Sequence, residues 1–64
     1  MTKAKLQFNK GYLKAMSNMV AIGDVNHVVK ELFISSGFKK DEDLSKYDLD
    51  EYDIENIEKV KEAL

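Results

Sequence analysis

The stretch YLKAMSNMVAIGDVNHVVKELF, residues 12–33, decides the fold class. Its first half carries Tyr12, Leu13, Met16, Met19 and Val20 at i, i+1, i+4, i+7 and i+8, the stripe of an amphipathic helix. Its second half carries Val25, Val28, Val29, Leu32 and Phe33 at a matching helical spacing. Gly23 between them suits a left-handed helix terminator, and Asp24 suits the N-cap of the next helix. A strand hairpin turning at Gly23-Asp24-Val25-Asn26 is the competing reading, and its period-two alternation is poor.

Working outward, the second helix has a well-marked end. With Gly37 at C′, Phe38 falls at C″ and Phe33 at C3, the pair that makes the apolar contact of a Schellman stop. Upstream, Asn9 is a plausible N-cap for a helix over 10–22. Ala4, Leu6 and Phe8 alternate with Lys5 and Gln7, so residues 1–9 read as an extended arm. Such an arm suits edge pairing across a dimer.

Downstream, Asp41 to Tyr47 predicts a short helical turn presenting Leu44 and Tyr47. A degenerate pentad then recurs, Lys46-Tyr47-Asp48-Leu49-Asp50 followed by Glu51-Tyr52-Asp53-Ile54-Glu55. Five residues match neither helical nor strand periodicity, so the copies cannot show one face of a single straight element. A break near 48–50 follows. From there Ile54, Ile57, Val60 and Leu64 mark a terminal helix over 51–64, supported by Glu55 with Lys59 and Glu58 with Lys61. The expected architecture is all-α: three helices at 10–22, 24–36 and 51–64 plus one short turn, in a single domain over 1–64. Its expected core is Leu13, Met16, Val20, Val28, Val29, Leu32, Phe33, Ile57 and Val60.

A 64-residue chain buries only about 60% of its unfolded surface, so the core is marginal. Cys is absent and His occurs once, which removes disulfides and ordinary structural zinc as stabilisers. Self-association is the remaining common device, and a homodimer is expected. No apolar run is long enough for a membrane span, and the first residues lack the apolar block of a signal peptide. A cytoplasmic location is expected.

Charge divides the chain. Residues 1–40 hold seven Lys against Asp24 and Glu31, a net +5, while residues 41–64 hold three Lys against ten acids, a net −7. Part of this is helix chemistry, because acids near a helix start and Lys near its end complement the macrodipole. The surplus points to a binding surface for a basic protein partner: Asp41, Glu42, Asp43, Tyr47, Asp48, Asp50, Glu51, Tyr52, Asp53 and Glu55, with the tyrosines as anchors.

Other chemistries fit less well. An EF-hand fails in both registers: from Asp41 the sixth and twelfth residues are Lys46 and Tyr52, and from Asp48 they are Asp53 and Lys59. His27 is the only imidazole, and no Ser has an identifiable base, so no catalytic role, cofactor or small-molecule substrate is assigned. All ten basic residues are Lys, which disfavours the bidentate readout of guanine and phosphate that Arg provides. Helix, Gly23 and helix nonetheless occur in the order of a helix-turn-helix, with Asn26, His27 and Lys30 as base contacts, so a small DNA-binding regulator is the runner-up. A structural homo-oligomer subunit is the third reading. The leading expectation is a non-enzymatic regulatory or inhibitory protein of the size and composition common in phage and mobile elements.

Overall fold

Thr2 sets the start of the first helix. Its hydroxyl oxygen accepts from the Lys5 N–H at 3.1 Å and its carbonyl accepts from the Leu6 N–H at 3.0 Å. In the computed structural model, which describes residues 2–64, helix α1 therefore runs Lys3–Gly23. The extended arm expected over residues 1–9 is thus helical from Lys3 onward, with Met1 outside the described residues. Five residues of alternation are too few to distinguish a strand from one helical turn and a half. Asn9, expected as the cap, lies buried inside α1 instead, in line with Leu13, Met16, Ser17 and Val20. Tyr12, expected on the inner stripe, is 37% exposed.

The junction to the second helix is displaced from its expected position. Gly23 keeps helical geometry, and Asp24 takes the positive φ, 60° with ψ −179°. Asp24 also donates its N–H to the Val20 carbonyl at 2.8 Å. The N-cap is Asn26, whose Oδ1 accepts from the Val29 N–H at 3.0 Å, so helix α2 spans His27–Ser35. Asn and Asp cap about equally well, which leaves the two positions unranked by residue type. With this start, Val29 and Phe33 are the buried pair, Leu32 and Val25 are partly buried, and Val28, expected in the core, is 63% exposed.

The stop of α2 matches its expected form. Gly37 has φ 92°, its N–H donates to the Ile34 carbonyl at 3.0 Å, and the Phe38 N–H donates to the Phe33 carbonyl at 3.2 Å. The Phe33 and Phe38 rings sit 5.3 Å apart. Asp43 then caps a 3-10 turn over Leu44–Tyr47, accepting from the Ser45 N–H and hydroxyl. Asp48 ends the turn in the left-handed region at φ 53°. Asp50 caps helix α3, Glu51–Glu62, by accepting from the Asp53 N–H at 2.9 Å. The break expected at 48–50 is present, and the two pentads face oppositely: Tyr47 and Asp53 are buried, Asp48 and Tyr52 exposed.

The described residues form no strand, and the fold is all-helical. The core joins Leu13, Met16 and Val20 of α1 to Val29 and Phe33 of α2 and to Ile57 and Val60 of α3. Phe38, Leu44 and Tyr47 complete it from the α2–α3 connection. Helix α3 lies chiefly against α1. Where they meet, the buried Asn56 side chain donates to the Ser17 carbonyl at 3.3 Å and to the Ser17 hydroxyl at 3.0 Å.

Candidate interaction surfaces

Most of the acidic residues singled out by sequence are used by the fold. Glu42 is the clearest case. Its carboxylate accepts from the Tyr47 hydroxyl at 2.7 Å and from the Lys39 N–H at 3.2 Å, and pairs with Lys46 at 3.4 Å. Its carbonyl accepts from the Lys61 Nζ at 2.8 Å. Glu42 and Tyr47 thus tie the α2–α3 connection to the last turn of α3. Asp43 and Asp50 are caps, Asp48 pairs with Lys10 at 3.7 Å, and the buried Asp53 pairs with Lys14 at 3.5 Å. The last two pairs join basic α1 to the acidic third, with Asp48 at the surface and Asp53 buried. Asp41, Glu51, Tyr52 and Glu55 remain exposed.

Protonation follows from this geometry. Burial raises the Glu42 carboxyl, but the bonds from Tyr47, the Lys39 N–H and Lys46 outweigh it and hold the group below its usual range. Burial pushes the Tyr47 hydroxyl up, and its bond to the Glu42 carboxylate adds to this, against a smaller opposing effect of a hydrogen bond with Asn9. A depressed carboxyl stabilises the fold above its unfolded value and loses that contribution as pH falls through the folded one. A raised tyrosine does the reverse, stabilising below about 10 and losing its contribution as pH rises through the folded value. Tyr47→Phe is therefore expected to be less stable than the parent by about 1 kcal/mol at neutral pH. Urea melts across pH should show that gap narrowing at both acid and alkaline extremes. A gap independent of pH would contradict the pairing.

Four acids line one face of α3. Glu51, Glu55, Glu58 and Glu62 recur at i, i+4, i+7 and i+11, which places them in a single ridge. Three are exposed, and Glu58, partly buried, pairs with Lys61 at 3.1 Å. Tyr52, 56% exposed, sits one position along the helix from Glu51. Reasoning from the pentads missed Glu58 and Glu62, although their helical spacing from Glu51 and Glu55 is legible in sequence.

No family model, curated protein or solved structure matches the chain. Its function is therefore argued from its own surfaces. The described residues contain no group of three or more His, Cys, Asp or Glu placed to hold a metal, and they enclose no pocket. None of their helices is long and apolar enough to cross a membrane. Of the residues suited to a recognition helix, Asn26 is occupied as the α2 cap and His27 lies 3.7 Å from Glu31. The outward side of α2 otherwise shows Val28 and Ile34. Lys30, the third of the residues suited to base contact, is partly buried on the same helix.

Proposed function

We propose that the protein is a small non-enzymatic regulator or inhibitor that binds a basic protein surface through the outer face of α3. The observation that carries this reading is the ridge of Glu51, Glu55, Glu58 and Glu62 with Tyr52 at its edge. Like charges at i, i+4 destabilise a helix by about 0.2–0.5 kcal/mol per pair. Glu51 offsets this by lying near the helix start and Glu58 by pairing with Lys61, whereas among the described residues Glu55 and Glu62 have neither compensation. Glu62 sits at the end where the dipole disfavours an acid. Charge kept at such a cost suits a surface that meets Lys or Arg on a partner, where it steers encounter and fixes orientation. Tyr52 adds an amphipathic ring of the kind that anchors interfaces.

Affinity capture from the native host tests the reading, using the intact chain beside its Glu51→Gln, Glu55→Gln, Glu58→Gln, Glu62→Gln variant. The intact chain should retain a basic protein that salt releases, and the variant should not. Tyr52→Ala should weaken the recovered complex by about tenfold or more. Equal retention by intact and neutralised chains would sink the proposal.

A further inference from the structure

Helix α1 is apolar on two sides. Its inner side fills the core, while Ala4, Phe8, Gly11, Tyr12, Ala15 and Ile22 fall on the opposite side at helical spacing, all exposed. Phe8 is 59% exposed and Ile22 90%. Lys3, Lys10 and Lys14 lie round the helix from this face, and Lys5 borders it with its Nζ 5.9 Å from the centre of the Phe8 ring. From Ala4 to Ile22 the uncharged face runs about 27 Å. Exposed Asn18, between Ala15 and Ile22, is its one polar interruption. An exposed, largely apolar face rimmed by charge marks an interaction site.

From its charges and its shape we infer that this face binds a second copy of the chain, with the two α1 helices antiparallel. The ends of α1 carry the wrong charges for an isolated helix. Its first turn has no acid and holds Lys3 and Lys5, while its last turn has no base and is followed by Asp24. An antiparallel copy corrects both ends at once, because each Lys5 comes beside the other helix's C-terminus, and the two-fold axis repeats the contact. A parallel pair would set like ends together.

The relief of the face agrees with this arrangement. With the axis near residue 13, Ala4 of one copy meets Ile22 of the other, Phe8 meets Asn18, and Gly11 meets Ala15. A small residue thus stands across from Ile22, and two small residues let the backbones approach closely beside the axis. A Cβ built at Gly11 meets nothing within 4 Å, so packing inside one copy does not require this mid-helix glycine. A standard interface takes about 800 Å² per partner, roughly a fifth of the 4225 Å² surface of this chain. One helix face is at the small end of such interfaces, where contacts are weak and transient, and a micromolar dissociation constant is expected. The inference uses no residue of the α3 ridge and stands or falls separately from it.

Sedimentation equilibrium from about 5 to 500 µM should show the mass rising from 7.3 kDa toward twice that value. Ala15→Glu puts two like charges beside the axis and should stay monomeric over the same range, with unchanged helical circular dichroism to show that it folds. Because the described residues contain no cysteine, single cysteines report orientation cleanly. An equimolar mixture of Ala4→Cys and Ile22→Cys chains should oxidise mainly to the mixed disulfide. A monomer at the highest concentration, a dimer that Ala15→Glu leaves intact, or a preference for like-with-like disulfides would each overturn the inference.

Discussion

Phe33→Ala is expected to unfold the chain at room temperature. Phe33 is fully buried, its ring packs on Phe38, and Phe38 meets Tyr47 edge-on with centroids 6.1 Å apart. Its carbonyl also receives the Phe38 N–H that closes the end of α2. One side chain therefore links the second helix, its stop and the 3-10 turn. Truncating a buried Phe to Ala typically costs about 3–5 kcal/mol. A single core of this size rarely supplies more than about 3–5 kcal/mol in total, so the loss matches the whole stability of the domain. Far-ultraviolet circular dichroism at 25 °C should show the helical signal largely gone, while Phe33→Leu should keep it and melt at lower temperature. A cooperative melt of Phe33→Ala within a few degrees of the parent would mean that the core is assembled differently.

The second large effect is expected at Asn56. Its side-chain amide donates to both the carbonyl and the hydroxyl of Ser17, and both residues are buried where α1 meets α3. Buried polar groups cost little when paired and roughly 1–3 kcal/mol when left without a partner. Asn56→Ala should therefore destabilise by about 2–3 kcal/mol, combining the lost bonds with the volume removed. Ser17→Ala should cost less, since the Ser17 carbonyl survives as an acceptor. The double variant should fall short of the sum of the singles by at least about 0.5 kcal/mol in urea unfolding, the signature of a direct contact. Strict additivity would remove the proposed link between the helices.

Local chemistry made much of this fold legible. The end of α2 could be read at Gly37 because a Schellman stop depends on residues adjacent in the chain, Phe33 to Phe38. The break before α3 followed from the offset between the pentads, while the start of the helix was open between Asp50 and Asp53, two acids that cap equally well by type. The start of α1 was obscured because Thr2 caps the helix seven residues before Asn9, and the short alternation of Ala4 to Phe8 reads equally as strand. Val28 was misplaced because it lies at the edge of the apolar stripe, about 100° round the helix from Val29, and how far the helix is rolled toward the core is set by its docking and not by the spacing. The roles of the acids were the least legible, for a physical reason. Whether Glu42, Asp48 or Asp53 faces a partner depends on where Tyr47, Lys10 and Lys14 lie in space, and that is settled by the docking of α1 on α3.

The acidic third is thus divided in two: acids that cap or pair within the fold, and the proposed contact ridge, of which only Glu58 makes an ion pair among the described residues. Thermal melting of two altered chains side by side tests this division most directly. Asp43→Ala with Asp50→Ala removes two helix caps, and the Asp50 cap alone is worth about 1 kcal/mol, or about 4–8 °C in a domain of this size. That chain should melt at least about 5 °C below the parent. The chain carrying Gln at Glu51, Glu55, Glu58 and Glu62 should melt within about 4 °C of it, because lost Lys pairing and relieved repulsion nearly cancel. A ridge variant that melts as low as the cap variant would show that those four glutamates hold the fold together, and would contradict their assignment as a contact surface.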